Sequence, residues 1–259
     1  MSETPVLWHI PISHFNEKAR WALAWKGIDH ERRAPVPGAH MLVALWHTRG
    51  AEKTLPMLRL DGETIADSSE IIAALERRHP EPLLYPADPA ERARALELEQ
   101  FFDDELGPPI RLVAWHEITR DREGGGMAPL TTPYLPAALR ESSLAAAAMR
   151  RGGSIFVALR YRVRDDEAAA RGRRAVVAAL DRLERELGDG EYLVGDRFTV
   201  ADLTAASLFY PLARPPEGPK VPDEEPPRLK EFFDSLRERR GAKWVRDTFA
   251  RHRHAGGTA

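Results

Sequence analysis

The first 80 residues alternate between hydrophobic patterns typical of strands and patterns typical of helices. Apolar residues form short runs, and between these runs they recur every three or four positions. The predicted strands cover residues 6–10, 29–34, 57–60 and 63–66, and the predicted helices cover residues 14–26, 39–47 and 68–75. The opening strand–helix–strand order predicts a parallel βαβ unit, to which the last two strands add antiparallel pairing.

The turn between the last two strands and the residues around it carry strong local signals. Asp61-Gly62 predicts a two-residue hairpin turn, because a type I′ turn needs positive φ at both positions. Pro56 precedes the hairpin, where a missing N–H is tolerated. Asp67 and Ser68 then open a helix, as expected of residues that cap helix N-termini. The first domain is therefore predicted to be α/β, with a mixed four-stranded sheet of thioredoxin-like order.

Prolines at positions 80, 82, 86 and 89 mark a change of pattern along the chain. Beyond them apolar residues recur at helical spacing, and no strand alternation is visible. The predicted parts are an α/β domain over residues 1–80, a proline-rich linker over 81–90, an all-α domain over 91–250 and a disordered tail over 251–259. Glycines and prolines at 124–136 predict a loop within the helical domain, and an alanine-rich stretch at 139–150 predicts a helix.

Two further signals lie in the predicted helical domain. Gly107-Pro108-Pro109 ends one helical stripe, and residues 110–118 are expected to continue it as a broken or kinked helix. Thr199 and Asp202 stand three residues apart before an apolar run, which predicts an acidic variant of the capping box. We expect this pair to stabilise the fold and to have no part in the chemistry.

The composition narrows the classes of function. With 38 Lys and Arg against 40 Asp and Glu, the net charge is −2, which gives no electrostatic case for binding nucleic acid or an anionic membrane. Cysteine is absent, which excludes a disulfide framework, a thiolate metal site and a cysteine nucleophile. No apolar run approaches the ~20 residues of a membrane-spanning helix, and the first residues do not have the pattern of a signal peptide. A soluble, cytoplasmic protein is therefore expected.

Four short motifs, in order along the chain, resemble the glutathione transferase superfamily. Residues 13–20, Ser-His-Phe-Asn-Glu-Lys-Ala-Arg, are similar to the strand-to-helix turn of that family in its serine or cysteine type. Leu55-Pro56 is similar to its cis-proline turn, and Asp67-Ser68 is similar to the acidic-serine pair that holds the γ-glutamyl end of glutathione. Residues 192–203 are similar to the signature of its helical domain. The resemblance covers nearly the whole chain and implies the same two-domain architecture.

Ser13 is the residue for which the resemblance implies catalysis. Its hydroxyl can donate to a bound thiol sulfur, and the positive potential of the helix N-terminus acts at the same point. A thiol pKa below its usual ~8.5 raises the fraction of nucleophilic thiolate at neutral pH. Ser13 also suits a simple N-cap, and the two roles are compatible. The nearby Lys18 and Arg20 are expected to be solvated or structural.

The resemblance also implies a binding site for glutathione as co-substrate. The residues expected to form it are Leu55, Pro56, Asp67, Ser68, Lys53 and His40. Asp67 can pair with the ammonium of the γ-glutamyl group, while Ser68 and the helix N-terminus suit its carboxylate. The backbone at Leu55 is expected to pair with the peptide. His40 and Lys53 are basic candidates for the glycyl carboxylate, with surface loop residues as the alternative interpretation.

A pocket for the second substrate is expected between the two domains. Its candidate lining residues are His14, Asn16, Trp115, His116 and Tyr210. Aromatic residues at helical spacing suit a core equally well. Asn16 stands where relatives of this type often have serine or cysteine, and its amide could also donate to a thiolate. No metal is expected, because the nine histidines show no metal-binding spacing, and His252 and His254 are expected to be incidental.

The resemblance implies an enzyme that activates the glutathione thiolate for attack on a small hydrophobic electrophile, as in detoxification, and that forms a homodimer. A non-catalytic glutathione-binding or scaffold protein is the alternative, which the altered residue at Asn16 and the glycine- and proline-rich region at 124–136 keep open. A glutathione-dependent peroxidase, dehalogenase or isomerase is a third interpretation, with the same first site and a different pocket.

Overall fold

The N-terminal part of the chain folds into a mixed four-stranded sheet with three helices. A computed structural model describes residues 3–35, 39–121, 163 and 165–253. The strands are β1 (Val6–Trp8), β2 (Glu31–Arg33), β3 (Met57–Leu60) and β4 (Glu63–Ala66), and the helices are α1 (His14–Trp25), α2 (Ala39–His47) and α3 (Ser68–Arg78). Every element predicted from the hydrophobic pattern in this part is present, with strands somewhat shorter than expected at the first two sites.

The sheet has the order β2-β1-β3-β4, with β1 parallel to β2 and antiparallel to β3. The β3–β4 hairpin pairs Leu60 with Glu63 across the turn. Asp61 and Gly62 have φ values of 51° and 80°, the positive values that the Asp-Gly signal predicted. The thioredoxin-like arrangement is therefore confirmed, and β1 and β3 form the centre of the sheet.

The described residues of the second part of the chain are mainly helical, as the sequence predicted. The helices are α4 (Pro89–Glu105), α5 (Gly107–Arg120), α6 (Asp166–Leu187), α7 (Val200–Ala213), α8 (Pro227–Arg237) and α9 (Arg240–His252). Pro108 and Pro109 lie in the first turn of α5, where their missing N–H groups are harmless, so this segment begins a helix and does not kink one. The expected loop at 124–136 and helix at 139–150 lie outside the described residues. No helix among the described residues is long and apolar enough to span a bilayer.

Helix α7 is the centre of the helical part, since all of its residues except Pro211 are buried. It packs against α1, α4 and α9. The predicted capping box is present: the Thr199 hydroxyl accepts from Ala201 N–H, and Asp202 accepts from the Thr199 N–H at 2.8 Å. Burial raises the pKa of Asp202 to about 6, although the N–H groups of Leu193 and Thr199 oppose the rise.

Helix α1 connects the two parts of the molecule. It packs on α3 on one side and on α7 on the other, which explains why it is apolar on two faces. The fully buried Trp21 lies 5.5 Å from Phe198 and 4.4 Å from Phe249, measured between ring centroids. His252 stacks on Phe198 at 4.6 Å and is the last residue of α9, so the tail predicted to be disordered from residue 251 begins as helix.

The proline-rich stretch between α3 and α4 is attached to the end of α1. The buried Lys26 donates to the carbonyls of Pro80 and Pro82 at 2.8 and 2.7 Å and forms an ion pair with Glu76. These bonds satisfy an ammonium that would otherwise be costly to bury. The connection between the two parts is therefore held against the first domain.

Candidate functional site

A cavity of about 200 Å³ lies between the two domains, beside the N-terminus of α1. The first domain contributes the turn before α1, its first residues and the segment before Pro56. The second domain contributes one face of α5, the end of α7 and the chain around α8. The apolar lining residues include Ile10, Ile12, Phe15, Ile110, Trp115, Ile118, Tyr210, Pro211, Leu229 and Phe233. This composition suits an apolar ligand that is oriented by a few polar groups.

The turn that carries Ser13 is held by groups from both domains. Arg20 donates to the carbonyl of Pro11 at 2.9 Å and, less closely, to that of Ile10 at 3.3 Å. From α7, the Tyr210 hydroxyl donates to the carbonyl of Ile12. Burial raises the pKa of Tyr210, so its phenol keeps the proton that it donates. The three carbonyls before Ser13 therefore each have a partner.

A buried cluster of charges supports Arg20 in this role. Arg20 donates to Glu17 at 2.8 Å and to Nδ1 of His9 at 2.9 Å. Arg253, at the other end of the chain, donates to the second oxygen of Glu17 at 2.6 Å. Burial, followed by the charge of Arg20, lowers the pKa of His9 to about 3, so this ring stays neutral and can accept the bond. Of the two roles expected for Arg20, solvated or structural, the structural one is confirmed.

Ser13 is the N-cap of α1, with extended backbone angles of φ −84° and ψ 127°. Its Oγ accepts hydrogen bonds from the Asn16 backbone N–H at 3.4 Å and from the Asn16 side-chain amide at 2.8 Å. Ser13 is also one of the residues that line the cavity. The capping role is thus present, and it leaves the hydroxyl hydrogen available to a ligand.

Asn16 is fully buried and does not line the cavity, contrary to its prediction as a pocket residue. Its Oδ1 accepts from the Ile10 N–H at 2.9 Å. Its Nδ2 donates to Ser13 Oγ at 2.8 Å and to the Leu55 carbonyl at 3.0 Å. Both amide hydrogens are therefore used, and the suggestion that this amide donates to a thiolate is not supported by the geometry.

The segment from residue 54 to the start of α3 lies on the same side of the molecule. The Leu55–Pro56 peptide bond is cis, and Thr54 and Leu55 line the cavity. Asp67 caps α3 by accepting from the N–H groups of Ser69 and Glu70 at 2.8 and 3.4 Å. One carboxylate oxygen of the exposed Asp67 makes both bonds, which leaves the other for a ligand.

The backbone of Asp67 is unusual, with φ 74° and ψ 141°. A non-glycine residue in such a conformation is strained by about 1–3 kcal/mol, and such residues are concentrated at functional sites. The following Ser68 is buried at the first position of α3, and its hydroxyl has no hydrogen bond to another described residue. The Asp67-Ser68 pair is therefore held in place with unused hydrogen-bonding capacity.

A second buried ionic cluster joins the two domains behind this segment. Lys18 on α1 lies 2.8 Å from Glu99 Oε1 and 2.5 Å from Asp103 Oδ2 on α4, and it donates to Ser69 Oγ at 2.7 Å. Burial opposes the charge on Lys18, but the two carboxylates outweigh burial and raise its pKa. Lys18 is therefore a buried interdomain ion, and of the two expected roles, solvated or structural, the structural one is confirmed.

His14 lines the cavity as predicted and links the domains. Its Nε2 donates to the carbonyl of Gly107 at 2.9 Å, because a carbonyl can only accept. Burial, followed by the charge of Arg111, lowers the pKa of His14 to about 3. The ring is therefore neutral at physiological pH, with its Nδ1 unprotonated.

The other predicted residues divide into two groups. Trp115, Tyr210 and His40 line the cavity. His116 does not: it is buried, and its Nδ1 donates to the Val163 carbonyl at 2.8 Å, so its prediction as a pocket residue is wrong. Lys53 is exposed and does not line the cavity either, which leaves its role toward the glycyl carboxylate as a prediction.

Two residues of the site escaped the sequence-based search. Arg111 lines the cavity, and its guanidinium lies 5.6 Å from the centroid of the Phe15 ring. Phe15 lies within the turn at residues 13–20, but it is not among the residues predicted to line the pocket. The helical periodicity of residues 110–118 was the signal that could have found Arg111, because a residue next to the buried Ile110 lies at the edge of the buried face of the helix. No group of three or more His, Asp or Glu side chains in the described ranges is arranged to hold a metal ion.

Comparison with known proteins identifies the two domains. The model of the glutathione S-transferase N-terminal domain matches residues 7–83, and the model of the C-terminal domain of the same family matches residues 166–235. A solved glutathione S-transferase from Methylobacterium radiotolerans, in complex with glutathione sulfonate, is 25% identical with a TM-score of 0.56, and the match covers 99% of this chain and 98% of that one.

Curated relatives give a shorter match. The probable maleylacetoacetate isomerase 1 of Drosophila melanogaster is 27% identical over 126 residues, 47% of this chain and 51% of the relative. The maleylacetoacetate isomerase of Rattus norvegicus is 38% identical over 93 residues, 34% of this chain and 43% of the relative. The matched region spans about half the length of these relatives or less. The two domain models together cover more than half of the chain, and the fold agrees with them. The chain therefore belongs to the glutathione S-transferase superfamily.

Proposed function

We propose that the protein is an enzyme that binds glutathione and activates its thiol for attack on an electrophilic small molecule. The observation that carries the proposal is the Ser13 hydroxyl, which accepts hydrogen bonds from Asn16, keeps its own hydrogen available, and belongs to a residue that lines an apolar cavity. The Methylobacterium relative was solved in complex with glutathione sulfonate, which supports glutathione as the thiol substrate of this protein.

The glutathione site would extend from the cavity along the surface of the first domain. The backbone at Leu55 pairs with the peptide, and the free oxygen of Asp67 pairs with the γ-glutamyl ammonium. Ser68 and the N–H groups at the start of α3 suit the γ-glutamyl carboxylate, because the helix N-terminus favours negative charge. His40 at the cavity, and Lys53 nearby on the chain, are the candidates for the glycyl carboxylate.

In the proposed reaction, the bound thiol loses its proton to solvent and the thiolate sulfur forms a bond to an electrophilic carbon of the small molecule. That carbon either expels a leaving group with its bonding electron pair or, in a conjugated double bond, passes a pair of electrons to the neighbouring carbonyl, and solvent then protonates the adduct. Ser13 donates a hydrogen bond to the thiolate and does not take the proton. A hydrogen bond to a charged group contributes about 1.5–3 kcal/mol, which corresponds to a fall of about one to two units in the thiol pKa. The positive end of α1 acts in the same direction.

A second candidate is a glutathione-dependent isomerase, which the names of the curated relatives favour. Here the thiolate adds to one carbon of a conjugated double bond, the electrons move to a neighbouring carbonyl oxygen, and rotation follows about the new single bond. Reversal expels the thiolate and restores the double bond, so glutathione is not consumed. Product analysis separates the two candidates, because only the transferase reaction yields a stable thioether.

We also propose that the chain forms a homodimer in the cytoplasm, with a role in detoxification of small hydrophobic electrophiles. Membership of the family supports the proposal of a homodimer, and the use of glutathione as co-substrate supports the proposal of a cytoplasmic location. Size-exclusion chromatography with light scattering tests the dimer: a mass of one chain at micromolar concentration would contradict it.

The central experiment is a pH titration of the bound thiol, followed by the ultraviolet absorbance of the thiolate. In the wild type, glutathione should be largely ionised at pH 7, whereas in Ser13→Ala it should bind with a pKa nearer ~8.5. Binding without thiolate in the wild type would refute the enzyme and support a binding protein, and no binding at all would refute both.

A further inference from the structure

Asn16 is the chain's only asparagine, and its side chain has no exposed surface. It lies on the first turn of α1, three residues after Ser13, and its side chain bonds to three separate segments. These are Ile10, two residues after β1, Ser13 at the start of α1, and Leu55 at the cis peptide bond. Burying an amide so completely is favourable only when its hydrogen bonds are made.

The orientation of this amide follows from its backbone partners. The Ile10 N–H can only donate, so it must face Oδ1, at 2.9 Å. The Leu55 carbonyl can only accept, so it must face Nδ2, at 3.0 Å. The remaining Nδ2 hydrogen then has Ser13 Oγ at 2.8 Å, and no hydrogen is left for a ligand.

This arrangement determines where the Ser13 hydroxyl hydrogen points. A hydroxyl oxygen has two lone pairs and one hydrogen. The Asn16 amide and the Asn16 backbone N–H use the two lone pairs, at 2.8 and 3.4 Å. Asn16 offers no acceptor to Ser13, because its Oδ1 faces Ile10, so the hydroxyl hydrogen is directed away from Asn16 and toward the open side, which is the cavity.

We propose that Asn16 is a positioning residue that keeps Ser13 as a hydrogen-bond donor to the glutathione sulfur and ties it to the Leu55 segment that holds the peptide. The proposal rests on the function proposed above and extends it. It predicts that losing Asn16 has two separable effects. The thiol pKa should rise only where Ser13 is present, while glutathione binding should weaken whether Ser13 is present or not.

The mutational test is a double-mutant cycle with Asn16→Asp in the wild type and in Ser13→Ala. Aspartate keeps the oxygen that accepts from Ile10 but supplies at most one hydrogen where the amide supplies two. Asn16→Asp should raise the bound thiol pKa by about one unit more in the wild-type background than in Ser13→Ala, a tenfold difference in the thiolate to thiol ratio. The cycle subtracts the direct effect of any charge on the introduced carboxylate, since that effect is present in both backgrounds.

Thr199→Ala is the matched control for general loss of stability, since it breaks a buried hydrogen bond at the start of α7. It should leave the thiol pKa unchanged. Equal pKa shifts for Asn16→Asp in the two backgrounds would overturn the inference while leaving the role of Ser13 intact. If glutathione binds to the wild type without thiolate formation, the proposed function is itself refuted, and the positioning role is refuted with it.

A second measurement leaves Asn16 in place. Because the chain has one asparagine, labelling with ¹⁵N-asparagine gives a single pair of side-chain amide protons in the NMR spectrum. In Ser13→Ala one proton of the pair should shift and the other, bonded to Leu55, should stay. Neither proton should titrate with the thiol in Ser13→Ala. An amide proton that titrates with the thiol in that variant would show that Asn16 contacts the sulfur directly and would overturn the positioning role.

Discussion

Replacing Gly107 by alanine tests how tightly the two domains are joined at the site. An ideal Cβ at Gly107 would lie 2.3 Å from Cζ of Phe15 and 3.0 and 3.1 Å from the two Cε atoms. Since carbon atoms in contact prefer a separation of about 3.5 Å or more, the ring must retreat by about 1.2 Å. The ring also contacts His14, at 4.6 Å between centroids, and Arg111, so it cannot retreat without disturbing the cavity wall.

The magnitude follows from two opposing effects. Overpacking of this kind lowers the free energy of unfolding by about 1–3 kcal/mol. Replacing a glycine by alanine in a helix raises it by about 0.5–1 kcal/mol. We therefore expect Gly107→Ala to lower the free energy of unfolding by about 1–2 kcal/mol. For a chain of this size, that corresponds to a fall in Tm of about 2–8 °C.

The assay is calorimetry on four proteins: wild type, Gly107→Ala, Phe15→Leu and the double variant. Leucine lacks the ring atoms that the new methyl group meets, so the alanine should be neutral or stabilising in the Phe15→Leu background. The change in sign between backgrounds is the diagnostic result. A higher Tm for Gly107→Ala in the wild-type background would refute the close approach of α1 and α5.

Three further changes test the buried groups around the site. His14→Gln keeps a donor for the Gly107 carbonyl but cannot be protonated. The pKa of His14 is about 3 in the folded state and about 6.5 in the unfolded state, so the unfolded state binds a proton first as the pH falls. The wild type should therefore lose about 2 kcal/mol of stability through this residue between pH 7.5 and pH 5. Urea unfolding at the two pH values should show a loss smaller by that amount in His14→Gln, and equal losses would contradict the buried neutral ring. Lys18→Met leaves Glu99 and Asp103 buried together without their cation, so it should destabilise by about 3–5 kcal/mol; a Tm within about 1–2 °C of wild type, well below the expected shift, would argue against the buried cluster. Thr199→Ala should lower stability by about 1 kcal/mol through loss of the helix cap, and an unchanged denaturant midpoint would count against the capping box.

Much of the first domain could be predicted because its signals are local. Asp61-Gly62 specifies a turn through its own backbone preferences, and both residues have the expected positive φ. Asp67 caps a helix through bonds to residues two and three positions later. Such features depend on few neighbours, so a single sequence is enough to recognise them.

The parts that could not be predicted depend on partners far away in the chain. Lys18 pairs with Asp103, and Glu17 accepts from Arg253, which lies near the other end of the chain. His116 and Trp115 are adjacent, yet one bonds to Val163 and the other lines the cavity, because neighbours on a helix point about 100° apart. Periodicity gives the faces of a helix but not which face meets the other domain.

The turn before Ser13 shows how the two domains cooperate in the proposed chemistry. Arg20 from the first domain and Tyr210 from the second donate to its carbonyls, and Asn16 donates to the serine oxygen. A donor that is fixed before the ligand arrives stabilises developing charge without a reorganisation cost, which is the main source of electrostatic catalysis. Tyr210 also lines the cavity. We therefore expect that a change in the second domain that alters the cavity at Tyr210 also shifts Ser13, so that in the proposed enzyme the choice of electrophile and the reactivity of the thiol would be coupled.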